Sequence, residues 1–334
     1  MKIIFDTDIG WMNDDALAAL FALNAPWIDV LGVTTVMGNH DLSYSTAAAL
    51  RLLELTGRAD IPVCAGFDRP LLHERSAYAD GVWGEWATFP ETITLPEGLP
   101  AAKADPRHAV DFIIETVTAH PGEVTLVGLG PLTNIAIALR KAPQIRPLIR
   151  EIVIMGGGLS LFPDGWGNST PTAEFNFWVD PEAARMVLRS GLPIRLAPIN
   201  VCRRTRVTRA FVERLARAPE QRRGVAALFA KYLLPKFETP EGLHHLAYGL
   251  YDSVVIAWLL DPSLFRTRQL SIDIVADRSA SYGMSIGYEA AAGSHAHDNM
   301  AFALADAPPP VTVACEMDFD GFCELYLKTV GGSA

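Results

Sequence analysis

MKIIFDTDIGWMNDDALAAL, residues 1–20, reads as a short apolar strand (2–5), a turn around Gly10 and an apolar helix (16–23). Asp6, Asp8, Asp14 and Asp15 crowd around that turn. Asp is favoured at turns and helix N-caps, which accounts for one or two of these residues. It does not account for all four, because no Lys or Arg lies between Lys2 and Arg51. Carboxylates packed this closely repel one another unless a cation or protons intervene.

The pattern of that opening repeats along the chain. Strand-like runs at 29–36, 61–65, 123–129, 151–155 and 194–197 alternate with helical patterns at 47–55, 108–118, 132–141 and 181–189. Gly57 and Gly191 stand where the first and last of these helices stop, and Asp180 with Pro181 forms an N-terminal signal. Short buried strands separated by helices predict an α/β fold with a largely parallel sheet covered on both faces. In the last third, 269–276, 282–288 and 310–315 read as strands in succession, followed by a helix from Phe319. This predicts a mixed or antiparallel addition to the sheet. No internal repeat or low-complexity linker interrupts the chain, so one domain is expected over 1–334.

The 334 residues are half hydrophobic and carry 28 basic against 38 acidic side chains, a net charge of −10. This acidic balance argues against a nucleic-acid or anionic-membrane partner. Cys64, Cys202, Cys315 and Cys323 show neither CxxC spacing nor the density of a disulfide scaffold. No signal-peptide pattern precedes the first strand, and no apolar run reaches the roughly 18 residues that suggest a membrane span. A reducing, cytoplasmic setting is expected. Two glycine- and proline-bearing segments, 71–99 and 159–172, read as binding loops, because Trp83, Trp86, Phe89 and Trp166 are unusual in solvated loops.

Ligands of open α/β sheets collect at the carboxyl ends of the strands. There the sequence delivers Asp6 and Asp8, with Asp14 and Asp15 opening the next helix. It also delivers Thr34, Thr35, Gly38, Asn39 and His40; then Leu129, Thr133 and Asn134; and then Gly156 to Gly158. Asn168, Glu174 and Asn176 follow, and Tyr251 with Asp252 opens the apolar helix 254–260. Oxygen donors without a His–Cys cluster suit Ca²⁺ or Mg²⁺, and mixed carboxylate and carbonyl donors lean toward Ca²⁺. The remaining carboxylates and amides suit a polyhydroxylated ligand such as a sugar. Taken singly, Asn39, Asn176 and Asp252 read as turn or capping residues. Gly156 to Gly158 reads as close backbone approach or helix packing, since no P-loop lysine accompanies it.

Nearly end to end, the chain resembles the inosine–uridine-preferring nucleoside hydrolases. The resemblance lies in DTDIGWMNDDALAAL, GVTTVMGNHDL, IPVCAGFDRPL, LVGLGPLTNIAIAL, EIVIMGGG, AEFNFWVDPEAA and YDSVVIAWLLDPSLF, in that order. It implies a Rossmann-like sheet and hydrolysis of the N-glycosidic bond of ribonucleosides. By this analogy Asp8, Asp15, Asp252 and the Leu129 carbonyl ligate one Ca²⁺. Asp14 and Asn39 contact the ribose 2′- and 3′-hydroxyls, with Asn176 and Asp252 nearby, while Asn168 and Glu174 hold the 5′-hydroxyl. A Ca²⁺-bound water deprotonated by Asp8 then displaces the base through an oxocarbenium-like transition state. The resemblance also implies a homodimer or homotetramer.

Several positions depart from the family pattern. Tyr251 stands where many members have a His that protonates the departing base, and a phenol of pKa ~10 is a weaker acid than imidazole. Some purine-specific members carry a Trp at that place. Residues 78–81, where another such His is common, read YADG; His244 and His245 are alternative donors or a solvated helix face. The opening turn is a longer variant, with Trp11, Met12 and Asn13 in the gap, and Trp11 either lines the sugar pocket or plugs the turn. Two other readings compete: a Mg²⁺-dependent haloacid-dehalogenase-type phosphatase, suggested by DTD after a strand, and a catalytically idle nucleoside or sugar binder.

Overall fold

A computed structural model describes residues 1–72, 93–217, 220–246, 249–289 and 307–331. Trp83, Trp86, Phe89 and residues 78–81 lie outside the described residues, as do the side chains of His244 and His245. The chain opens with β1 (Lys2–Thr7), α1 (Asp14–Asn24), β2 (Asp29–Thr35), α2 (Leu42–Leu55) and β3 (Val63–Ala65). Next come α3 (Ala109–Ala119), β4 (Val124–Gly128), α4 (Thr133–Lys141), β5 (Ile149–Met155), α5 (Phe175–Val179), α6 (Pro181–Leu188) and β6 (Ile194–Ala197). A helical stretch of α7 (Ile199–Cys202), α8 (Arg209–Ala216), α9 (Glu220–Leu233), α10 (Pro240–Leu246) and α11 (Ser253–Leu260) follows. The chain then returns to the sheet as β7 (Phe265–Ile274), β8 (Ser285–Glu289) and β9 (Pro310–Met317), and α12 (Phe319–Gly331) packs behind it.

The described strands form one 9-stranded sheet in the order β3-β2-β1-β4-β5-β6-β9-β7-β8. Pairing is parallel from β3 to β9, whereas β7 runs antiparallel to both β9 and β8. The expected parallel sheet with a mixed C-terminal addition is therefore what forms. Alternate strand residues enter opposite layers: Ile3, Phe5, Val127 and Val153 pack with α1, α2, α11 and α12. Ile4, Leu126, Ile152 and Ile154 pack with α3, α4 and α6. A sheet covered on both faces needs apolar side chains at every position, which is why its strands read as continuous apolar runs.

Strand order reverses at β1, whose neighbours are β2 on one side and β4 on the other. The helices on either side of such a point diverge, leaving a crevice at the carboxyl ends of the strands. Asp8, just past β1, and Leu129, just past β4, both lie at its rim. Tyr326 ties the outer helix to this region by donating its hydroxyl to the Leu17 carbonyl at 3.0 Å.

Boundaries shift where side chains supply unexpected caps. Helix α2 starts at Leu42 rather than 47, because the Asp41 carboxylate accepts the amides of Ser43 and Tyr44. Helix α3 starts after His108, whose ring nitrogen accepts the Val110 amide at 3.2 Å. Asp180 caps α6 as expected, accepting the Ala183 amide at 3.0 Å, and also takes the Thr133 hydroxyl at 2.7 Å and the Leu71 amide at 3.0 Å. Burial raises this carboxyl from 3.8 to about 6, against the pull of those donors. The folded chain therefore holds the proton more tightly than the unfolded one, and this contribution to stability is lost as pH rises from ~4 to ~6. Thermal unfolding of Asp180→Asn should thus improve relative to the native protein between about pH 4.5 and about pH 7. An unchanged or opposite difference contradicts this reading of the site.

Candidate active site

The aspartates of the opening stretch separate into distinct environments. Asp6 is structural: its Oδ1 accepts the Thr34 hydroxyl at 2.6 Å and the Asn134 amide at 2.8 Å. Asn134 also donates to the Thr35 carbonyl at 3.0 Å and accepts the Phe67 amide at 3.0 Å, so one side chain joins the ends of β1, β2 and β3. Burial raises the Asp6 carboxyl to about 6 while Asn134 and Thr34 pull it down.

Asp8 is fully buried. Its Oδ2 accepts the Asn39 amide at 2.6 Å, and among the described residues its Oδ1 has no hydrogen-bond donor. Two glycines make room for this carboxylate. A Cβ at Gly38 would lie 2.0 Å from Oδ2, and one at Gly130 would lie 2.9 Å from Oδ1.

The turn into α1 aims the next pair. Met12 adopts a left-handed φ of 58°, disfavoured for a side chain of its size, and buries its thioether in the core. Asn13 caps the helix by accepting the Ala16 amide at 3.1 Å and donates to Asp15 Oδ2 at 2.8 Å. The Thr7 hydroxyl donates to the other Asp15 oxygen. Trp11 packs edge-on against Tyr232, 6.2 Å between ring centroids. Helix α1 packs on α11, and Asp252 precedes α11. Asp252 occupies the N-cap position but makes no side-chain cap bond, so its carboxylate is not spent on the helix as the sequence alone suggested.

Asp14, Asp15 and Asp252 each present an oxygen within 4.8 Å of one another, a spacing suited to a shared metal ion. Asp8 lies outside that trio but within its field. Burial first, then the charges of Asp15 and Asp14, hold Asp8 well above the usual carboxylate range. Asp14 is raised by burial and Asp15, and Asp252 by burial and then by Asp14, Asp15 and Asp8. Asp15 rises to about 6 through burial, opposed by Thr7 and Asn13. Lys236, in the turn Leu234–Glu238, feels the Asp14 charge, although burial lowers its own pKa.

The other expected residues frame the same crevice. Asn176 donates to the Leu129 carbonyl at 2.8 Å and to the Met155 carbonyl at 3.2 Å, linking the ends of β4 and β5 instead of capping a turn. Glu174 is buried and caps α5, accepting the amides of Gly157 at 2.7 Å, Asn176 at 2.9 Å and Phe177 at 3.3 Å. Asn168 Oδ1 accepts the Phe175 amide at 2.8 Å. Gly156 allows helix packing as expected, since a Cβ there would meet the Phe177 ring at 2.4 Å.

A cavity of about 760 Å³ is lined by Trp166, Asn168, Arg203, Arg206, Phe237 and Tyr251, among others. It lies in the size range of small-molecule sites. Trp166 is more than half exposed there, with the Arg203 guanidinium 4.6 Å above its ring. Thr7, Asn13 and Arg203 escaped the sequence reading as site residues. The signals that could have found them are proximity to aspartates for the first two and, for Arg203, an arginine cluster, CRRTR, in an acidic chain.

The family described as inosine-uridine preferring nucleoside hydrolase matches residues 3–324. An uncharacterized protein of Schizosaccharomyces pombe, C1683.06c, is 40% identical over 293 residues, covering 86% of this chain and 88% of its own. The pyrimidine-specific ribonucleoside hydrolase RihB of Escherichia coli is 35% identical over 287 residues, covering 85% and 86%. Among solved structures, the plant nucleoside hydrolase PpNRh1 superposes with a TM-score of 0.79 at 30% identity, covering 99% of each chain. A purine-preferring ribonucleoside hydrolase from Gardnerella vaginalis gives 0.78 at 27% identity, covering 99% of this chain and 98% of its own. The chain belongs to the inosine-uridine preferring nucleoside hydrolase family and is a ribonucleoside hydrolase.

Proposed function

We propose that this enzyme releases free nucleobase and ribose from ribonucleosides in a Ca²⁺-dependent reaction in which Asp8 is the general base. The observation that carries the reading is the acidic group at the switch point: Asp14, Asp15 and Asp252 present oxygens within 4.8 Å of one another, the last two buried, and among the described residues nothing donates to Asp8 Oδ1. All-oxygen donors of mixed carboxylate and carbonyl type fit Ca²⁺ better than zinc. Asp8, Asp15, Asp252 and the Leu129 carbonyl would hold the ion. When bound, the ion supplies a charge that makes water easier to deprotonate and fixes the sugar diol.

The chain's own groups then divide the work. Asp8 takes a proton on Oδ1 from the water that attacks the anomeric carbon, while the bond from that carbon to the base nitrogen breaks. Asp14 and Asn39 bind the 2′- and 3′-hydroxyls, with Asn176 and Asp252 alongside; Asn168 and Glu174 hold the 5′-hydroxyl. The negative pocket favours the positive, oxocarbenium-like sugar over its neutral ground state. Tyr251, buried on the cavity wall, donates a proton to the departing base or packs against it. Because RihB is pyrimidine-specific and the Gardnerella vaginalis enzyme is purine-preferring, the preferred base is assigned by assay.

Incubation with inosine, uridine, adenosine and p-nitrophenyl phosphate should give ribose from at least one nucleoside and no phosphate. Chelation should abolish the reaction and Ca²⁺ should restore it. Phosphate release would support the phosphatase reading, and saturable nucleoside binding without ribose would support an idle binder. Asp8→Asn should lower kcat by about 10²- to 10⁴-fold, the range of a lost general base. Near-normal turnover in that variant removes Asp8 from the role. Gly38→Ala should lower kcat/KM by about 10²-fold, because a displacement of about 1 Å at the base costs that much. Unimpaired activity there shows that the Asp8 carboxylate need not be held as it is.

A further inference from the structure

Residues 159–172 join β5 to α5 and bring Trp166, Gly167 and Asn168 to the cavity wall, and their backbone is held by two side chains from α7 and the residue that caps it. Asn200 is buried and accepts the Leu159 amide at 3.0 Å. It donates to the carbonyls of Leu159 at 3.0 Å, Phe162 at 3.3 Å and Pro163 at 2.8 Å. Arg203 continues the pattern. It donates to the carbonyls of Asp164 at 2.7 Å, Trp166, and Gly167 at 2.7 Å, and stacks on the Trp166 ring.

Three neighbouring carbonyls converging on one point need a multivalent cationic donor, and a guanidinium is planar with donors set as a fork. The backbone they belong to is tightly constrained. Asp164 sits at a left-handed φ of 62°. A Cβ at Gly165 would lie 2.1 Å from the Leu159 carbonyl oxygen, and one at Gly167 would lie 2.1 Å from that of Thr170. The last carbonyl held by Arg203, that of Gly167, belongs to the peptide unit that leads into Asn168. From there Asn168 reaches the Phe175 amide and lines the same cavity as Arg203.

We infer that Arg203 is a positioning residue for recognition of the substrate's 5′ end, acting through the backbone on Asn168. This rests on the reading that Asn168 holds the 5′-hydroxyl. A purely structural role for Arg203 would weaken activity on every nucleoside alike. A positioning role weakens discrimination between a nucleoside and its 5′-deoxy analogue.

The test compares kcat and KM for the preferred nucleoside and its 5′-deoxy analogue on the native enzyme, Arg203→Ala, Arg203→Lys and Asn168→Ala. The native enzyme should favour the hydroxylated substrate. Asn168→Ala and Arg203→Ala should each shrink that preference by up to about tenfold, the value of one hydrogen bond, with the change mainly in KM. Arg203→Lys should fall between, and the double variant should lose no more than either single one. If Asn168→Ala removes the preference while Arg203→Ala leaves it intact, Arg203 is not a positioning residue. If Asn168→Ala itself leaves the preference intact, the reading of Asn168 fails and the inference falls with it. Should Arg203→Ala not fold, Arg203→Lys decides: an unchanged preference overturns the inference.

Discussion

Mutual repulsion among buried carboxylates is the constraint on which the rest of the structure depends. Asp8, Asp15 and Asp252 are almost completely removed from water, and burial is the largest cause raising each of them. A chain folding by hydrophobic burial alone would not assemble such a group, because each unpaired buried charge costs several kcal/mol, about the margin of a whole domain. The scaffold forces the issue: Asp8 follows directly on β1, and the next helix starts with Asp14 and Asp15. Helix α11, packed on α1, brings Asp252 from far along the chain. A cation bound there, as proposed above, would turn that repulsion into binding energy, so that the cost of assembly and the capacity for chemistry become one property.

The surrounding polar groups are arranged to hold this charged centre still. Asn134 and Thr34 secure Asp6, which in turn fixes the strand ends from which Asp8 emerges. Thr7 and Asn13 secure Asp15, and the Asn39 amide secures one oxygen of Asp8. Glycine at 38 and 130 lets backbone approach that carboxylate more closely than any side chain would permit. Fixed donors of this kind do not have to reorganise when charge develops, which is the condition for electrostatic catalysis.

Much of this was legible in the sequence, and what was not has physical causes. Buried parallel strands announce themselves as apolar runs, and the oxygen-rich residues gather just beyond them, so β1, β4 and β5 and their aspartates, asparagines and glycines were readable. Residues 199–250 gave no such signal: α7 spans only 4 residues, and α8 and α9 each interrupt their apolar positions with two arginines. Helix α2 extends ahead of its apolar run, through Ser45 and Thr46, whose polar side chains do not announce a buried helical turn. Both are buried, and Thr46 satisfies its hydroxyl on the Leu42 carbonyl and the Thr35 hydroxyl. Asp252, which taken singly reads as a cap, is free of that task, while Glu174, expected to hold the 5′-hydroxyl, also serves as a cap. Pairwise roles of this kind depend on partners distant in sequence, which local spacing does not encode.

The claim that these carboxylates form a cation site is tested most directly by thermal unfolding of metal-depleted protein, with and without Ca²⁺, together with the amount of Ca²⁺ bound. The account predicts about one ion per chain and, at a Ca²⁺ concentration near 100 times Kd, about 2.7 kcal/mol of added stability. That gain should disappear in Asp15→Asn. Ribose release by protein that binds no Ca²⁺ and gains no stability from it would contradict the account.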